Sequence, residues 1–353
     1  MDVVALGESM VTFLPSRPGR LADVPSFERT IGGAESNVAC VLAAAGHTTR
    51  WVGRVGADGF GDHLVRAIGA YGVDVTAVRR DPGRPTGVYF RTAGDRAGDD
   101  HEVAYYRAGS AASAMSVTNT DLAACRAARV LHLTGITAAL SADCLALLHE
   151  LTAPAPGGPR PLVSFDVNHR PGLWRADPSG ARVLLTLARR AGLVFVGEDE
   201  AEQAWGITGG PAAIREALPE PDLLVVKQGG HGATAFRTTP PSPPAGPRPP
   251  AGSLSLTEPA PRVTVTSAPG AGDAFAAGFL SATLRGLPLR QRLRHGHLMA
   301  AAALTAPGDL APPPARAHAD RLAALDDTAW GRLRLGPGWT DTAEGAEEEV
   351  RTP

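Results

Sequence analysis

Pro269-Gly270-Ala271-Gly272-Asp273 runs straight into Ala274-Phe275-Ala276-Ala277-Gly278-Phe279-Leu280, so small residues and an acid lead into an apolar helix. At such a start, Gly270, Ala271 and Gly272 let backbone N–H groups converge where the helix dipole is positive, a cradle that suits a phosphoryl group in transfer. Asp273 beside it could take the proton of an attacking hydroxyl. The same residues would equally make a plain helix start, with Asp273 as its cap after a Gly-rich turn. On this segment alone the two readings are balanced.

A second junction of glycine and helix lies at Ile31-Gly32-Gly33-Ala34-Glu35-Ser36-Asn37. Gly33 permits close approach of a ligand to the backbone, and Asn37 can both donate to and accept from hydroxyls. A third Gly-rich turn, Lys227-Gln228-Gly229-Gly230-His231-Gly232, follows an apolar run and could border a nucleotide. It is no P-loop, because that loop needs Gly-Lys-Ser/Thr and Lys227 precedes Gln228. The first apolar run lacks G-x-G-x-x-G, which weighs against a dinucleotide dehydrogenase. Lys227 is the only lysine among 34 Lys+Arg residues, which fits a specific need or chance survival equally. Arg107, after Tyr105-Tyr106, and Arg170, in Phe165-Asp166-Val167-Asn168-His169-Arg170, offer forks that match a carboxylate. Most arginines in a chain so rich in them are simply solvated. The histidines lack metal-ligand spacing with nearby acids, so a zinc enzyme is not supported.

Composition narrows the field. The chain has 353 residues and a formal net charge of −2, enough length for one large or two ordinary domains. Near-neutrality argues against nucleic acid or an acidic membrane surface as the main partner. Cys40, Cys125 and Cys144 are odd in number and far apart, which fits reduced thiols in the cytoplasm. No run reaches the ~18 to 20 apolar residues of a membrane span. The start, MDVVALGES, has an acid and no basic stretch, so it does not read as a signal peptide.

The elements that must position these residues follow from periodicity. Short apolar runs at 3–7, 49–53, 130–133, 161–167, 193–196 and 223–227 read as buried strands. Helical patterns fall between them at 36–45, 60–72, 142–151, 181–191, 198–206 and 212–218. The alternation predicts an α/β fold, a parallel sheet covered on both faces with ligands at the carboxyl ends of its strands. Residues 10–30 and 85–108 break the rule with β-rich alternation and no helix, either a small second sheet or surface hairpins. Residues 239–252 (TPPSPPAGPRPPAG) read as an extended insertion in a hairpin, since proline removes donors and fixes φ. The acidic end is expected to be disordered, from about residue 331 on.

In this order and spacing GGAESNVA, WVGRVGADGFGDHLVRAIGAYGVDV, YYRAGSAAS, FDVNHRPGLW, GEDEAE, VVKQGGHGA and PGAGDAFAAGFL resemble the ribokinase-like (PfkB) carbohydrate kinases, over about residues 3–325. The resemblance implies a three-layer α/β/α domain over 1–325 with a β lid from about 9–31 and 84–110. It implies ATP as phosphoryl donor with Mg²⁺, Asp273 as base, and Gly270, Ala271 and Gly272 as anion hole. Gly33, Asn37, Tyr89, Tyr105, Arg107, Arg170 and Asp309 would hold the sugar. Asn168, Lys227, Gln228, Gly229, Gly230 and Gly232 would line the nucleotide side. Within the family the first, third and fourth motifs look most like the branch acting on 2-keto-3-deoxygluconate. There Arg107 and Arg170 would pair with the acid group, whereas a neutral sugar would leave them desolvated and unpaired, at a cost of order several kcal/mol. A fructokinase-like neutral-sugar kinase is the alternative, and a non-catalytic sugar or nucleotide sensor a third.

Two departures bear on that reading. Ser267-Ala268-Pro269 stands where many relatives carry D-T-x, and Gly197 stands at the Asn of an N-x-x-E pattern, leaving Glu200 to position Mg²⁺ through water. A lid face commonly seeks a partner, so a homo-oligomer, a dimer through the lid, is expected.

Overall fold

The computed structural model describes residues 1–92, 102–153, 160–174, 180–238 and 253–341. Apolar β-branched runs build its main sheet. In spatial order its eight described strands are Ser253–Glu258, Ala233–Thr238, Leu223–Lys227, Leu193–Gly197, Leu162–Asp166, Val130–Thr134, Val3–Leu6 and Thr49–Val52. The six from Leu223–Lys227 to Thr49–Val52 run parallel, and the two at the other edge form an antiparallel hairpin.

Both faces are covered because successive residues of the central strands, which point to opposite sides, are apolar in an unbroken run. Val194, Val196, Leu224 and Val226 pack on one side with Leu147, Leu184, Leu187 and Ile214 of the covering helices. Leu193, Phe195, Leu223 and Val225 pack on the other with Val38, Phe275, Phe279 and Leu293. Phe195 meets Phe275 and Phe279 edge to face, with ring centroids 6.4 and 5.4 Å apart. Such pairs add to the area that they bury. Each layer thus comes from period-2 strands laid under period-3.6 helices.

The two irregular stretches form a separate four-stranded sheet in the order Phe27–Gly32, Met10–Pro15, Val88–Arg91, Val103–Tyr106. Its crossing from the main domain is fixed by Asp58, which caps the helix Gly59–Ala70 through the Gly61 N–H and accepts from the N–H and hydroxyl of Thr86. The fold of the Pro-rich insertion at 239–252 lies outside the described residues, while the strands flanking it pair in register from Thr238 with Ser253 to Ala233 with Glu258. The expected tail needs correction. Trp330 is 1% exposed and Arg334–Leu335 pairs with Arg262–Val263, so residues 331–341 belong to the packed domain. Residues 342–353 lie outside the described residues. All three cysteines are buried free thiols. No described helix is long and apolar enough to cross a membrane.

Candidate active site

Most of the residues singled out above meet at one cavity of about 700 Å³. Strand ends of the main sheet, the underside of the lid sheet and the start of helix Ala271–Leu284 enclose it. Gly33, Asn37, Tyr89, Tyr105, Arg107, Asn168, Arg170, Glu200, Lys227, Gly270, Gly272, Asp273 and Asp309 line it. Ala271, Gln228, Gly229, Gly230 and Gly232 do not. Gln228 donates to Glu198 and accepts from the Thr234 hydroxyl, bonds that shape its turn.

The helix start has the form of an anion cradle. Gly270 is the residue before the first turn, with φ +80°, a left-handed conformation that glycine takes without strain. A Cβ there would stand 2.0 Å from the Asp309 carbonyl oxygen. The N–H groups of Gly272 and Asp273 have no backbone acceptor among the described residues, whereas that of Ala271 makes a long bond of 3.4 Å to Ala268. Asp273 does not cap the helix. Instead its carboxylate accepts from the Asn37 side-chain amide at 2.9 Å, which aims it at the cavity. Burial raises its pKa to about 6, helped by the nearby Asp166 charge and opposed by the Asn37 bond, Arg170 and Lys227.

Deeper in the cavity lie pairs of charge. Lys227 donates to both oxygens of Asp166, at 3.1 and 2.9 Å. Burial works against the ammonium, yet Asp166 and Glu200 outweigh it and the Lys227 pKa is raised. The pair meets across Gly197, since Leu193–Gly197 runs between the strands that end in Asp166 and Lys227. Asn168 sits beside them with φ +40°, an uncommon conformation for a residue with a side chain, and its buried Oδ1 has no partner. Asn37 Oδ1 is in the same condition. Both residues line the cavity, so these two oxygens are acceptors that a ligand there could supply with donors. Glu200 accepts from the Gly197 N–H at 2.8 Å, and its other oxygen stands 3.6 Å from Arg170. Cations that keep most of their water need one or two carboxylates and phosphate oxygens, not a protein cage. Glu200 could serve as such a carboxylate, and among the described residues no group of three or more His, Cys, Asp or Glu could hold a metal ion.

The two arginines expected to await a carboxylate, Arg107 and Arg170, each already stand beside one. Arg107 lies against Glu8, whose side chain is 1% exposed, and that carboxylate also accepts from the Ser110 hydroxyl at 2.8 Å. Arg170 has Glu200 in reach. A neutral sugar therefore leaves no naked guanidinium behind. Asp309 and Tyr89 are likewise engaged with each other, the tyrosine hydroxyl donating at 2.8 Å, and Arg91 donates to the second Asp309 oxygen at 2.7 Å.

Sequence reasoning missed Glu8, Arg91 and Asp166, all of which line the cavity. Glu8 and Asp166 stand at the carboxyl ends of parallel strands, where ligands gather, so their positions carried a signal. Arg91 lies two residues from Tyr89 and hence on the same strand face. Glu35 was missed as well. It is fully buried in the first turn of Ala34–Ala44, accepts from the hydroxyls of Thr134 and Thr137, and is pushed up to about 7 by burial.

A model of the pfkB family carbohydrate kinases matches residues 1–316. A 2-dehydro-3-deoxygluconokinase of Bacillus subtilis is 32% identical over 313 residues, 88% of this chain and 91% of that protein. A probable chloroplastic fructokinase of Arabidopsis thaliana is 29% identical, covering 84% of this chain and 75% of that protein. The crystal structure of a PfkB protein from Polaromonas superposes with a TM-score of 0.76 at 33% identity, covering 91% of this chain and 99% of the other.

Proposed function

The chain belongs to the pfkB family of carbohydrate kinases, with the ribokinase-like α/β fold and the phosphotransferase chemistry on a sugar hydroxyl that this entails, and from that premise we propose that it transfers the terminal phosphoryl group of ATP to the 6-hydroxyl of 2-keto-3-deoxygluconate. The observation that carries the substrate is the 32% identity to the Bacillus subtilis 2-dehydro-3-deoxygluconokinase across nearly the whole chain. Arg170 supports it from the site. Its side chain is 34% exposed and its ion pair is a loose 3.6 Å, so of the cavity's arginines it is the readiest to accept a carboxylate.

Chemistry follows from the placement of groups. Asp273, ionised, takes the proton of the sugar hydroxyl as the oxygen attacks the terminal phosphorus, and the bond to the departing ADP oxygen breaks in line. The Gly270, Gly272 and Asp273 N–H groups face the oxygens of the transferring phosphoryl, where charge must be stabilised. Lys227 adds a fixed positive charge beside Gly272, 3.7 Å from where a Cβ on that glycine would stand. The nucleotide lies toward Asn168 and the turn at Gly229, Gly230 and Gly232. Glu200 would hold Mg²⁺ through water, and the metal when bound neutralises donor phosphate charge. The lid keeps water from the phosphoryl group.

An ADP-release assay with ATP, Mg²⁺ and a panel of 2-keto-3-deoxygluconate, its galactonate epimer, gluconate, fructose and ribose tests the reading. Turnover is expected with the keto-deoxy acids. Preference for fructose or ribose would make this a neutral-sugar kinase, a reading compatible with the pairing of Arg107 to Glu8. Silence across the panel, with tight sugar binding by calorimetry, would favour a sensor.

A second copy of the chain is the partner proposed for the lid. Tyr105 and Tyr106 are 53% and 66% exposed on its edge strand Val103–Tyr106, beside Phe60. An aromatic edge of this kind is unusual on a monomer. Light scattering at micromolar concentration is expected to give the dimer mass, and a monomer alone would refute the arrangement.

A further inference from the structure

We propose that Arg91 is a positioning residue of the transfer reaction: through Asp309 it ties the lid sheet to the loop that packs against the anion cradle, so that lid and cradle are set by one contact. Arg91 and Tyr89 project from one face of the lid strand Val88–Arg91, and both bond the Asp309 carboxylate, one to each oxygen. The ion pair is nearly dry, with side chains 4% and 8% exposed. Asp309 belongs to the main domain, in the segment between helices Leu289–Leu304 and Arg316–Ala323. Its backbone is pressed against Gly270, where even a Cβ would meet the Asp309 carbonyl at 2.0 Å and its Cα at 3.0 Å. The preceding Gly308 carbonyl accepts from Ser267, on the approach to the cradle, at 3.4 Å. Gly32 closes the third side, for a Cβ there would lie 2.2 Å from the Tyr89 hydroxyl and 2.9 Å from Asp309 Oδ2.

Asp309 is thus one residue held by the lid on its side chain and touching the cradle with its main chain. A charge-assisted bond in a buried setting has a definite geometry, and contacts packed this closely shift together or not at all. A lid displaced from its place pulls the carboxylate, and the carbonyl against Gly270 moves with it. Misplacing reacting groups by about 1 Å costs roughly 10²-fold in rate. Arg91 therefore acts on the transition state without touching it, and the cradle is in register only while the lid is down.

The inference rests on the kinase reading for its kinetic arm only. Arg91→Gln is expected to lower kcat about ten- to a hundredfold with the KM for ATP unchanged, and Arg91→Lys to recover part of the loss. In a double-mutant cycle, Arg91→Gln made on top of Asp309→Asn is expected to cost nothing further, because the first residue works through the second. Hydrogen–deuterium exchange supplies an arm that needs no acceptor: in Arg91→Gln the strand Val88–Arg91 and the segment around Gly270 are expected to lose protection together. Additive losses in the cycle would overturn the proposal. So would a rise in KM confined to acid sugars with kcat intact, which would make Arg91 a substrate cation, or loss of protection in the lid alone. Should Arg91→Gln not fold, as read by thermal unfolding, Arg91→Lys carries both measurements. Wild-type protein silent with every sugar would sink the function proposed above and leave the exchange result to decide this one.

Discussion

Asp273→Asn is expected to lower kcat by at least about 10² to 10⁴-fold, the range for loss of a general base, while calorimetry shows ATP bound as tightly as by the wild type. The amide keeps the shape of the carboxylate and cannot take the proton of the sugar hydroxyl. The nucleotide contacts proposed at Asn168 and the turn at Gly229, Gly230 and Gly232 do not involve this carboxylate and are expected to survive. The same group is expected to set the acid limb of the rate profile. Burial lifts the Asp273 pKa to about 6, above the ordinary carboxylate value, so the reactive ionised form is lost as pH falls through 6 and is complete a unit or more above it. A plot of kcat/KM against pH for the wild type should therefore rise with an apparent pKa near that value. Turnover close to normal in Asp273→Asn, or a rate flat from pH 5 to pH 8, would remove Asp273 from the mechanism.

Lys227→Met should be costly in two separable ways. Asp166, whose side chain is 2% exposed, loses the ammonium bonded to both its oxygens and is left as a buried charge with no cation beside it, keeping only the Asn168 N–H at 3.2 Å. Breaking such a pair destabilises a protein by about 3 to 5 kcal/mol, visible as a lower denaturant midpoint. Replacing both partners, Asp166→Asn with Lys227→Met, should restore most of that stability, because no uncompensated charge remains. Activity should not return with it, since the positive charge beside Gly272 is still missing. If the double variant regained full turnover, Lys227 would be a structural residue and the phosphate role would fall.

The contrast between these residues explains what could be read from the chain and what could not. Strands such as Leu193–Gly197 were legible because a doubly buried parallel strand is written as an unbroken apolar run. The helix starts at Gly33 and Gly270 were legible because close approach and a left-handed turn restrict residue type locally. Pairing of charge is different in kind. Arg91 and Asp309 are 218 positions apart, and Lys227 and Asp166 are 61 apart, so no local pattern announces either pair. The partners of Arg107 and Arg170 were hidden for that reason: Glu8 and Glu200 stand beside them, so neither guanidinium is left bare by a neutral sugar. Leu289–Leu304 was hidden by composition, since its Arg294, His295 and His297 look solvated and are buried.

The Lys227–Asp166 pair also governs how the molecule meets reagents. Every other cationic side chain apart from histidine is a guanidinium, which keeps its charge to very high pH. The outer surface therefore offers acylating and aldehyde reagents no ε-amine at all. The single one is folded inward, protonated and held by a carboxylate, which leaves it a poor nucleophile. Chemical attachment through lysine would therefore report on access to the cavity, which Lys227 lines.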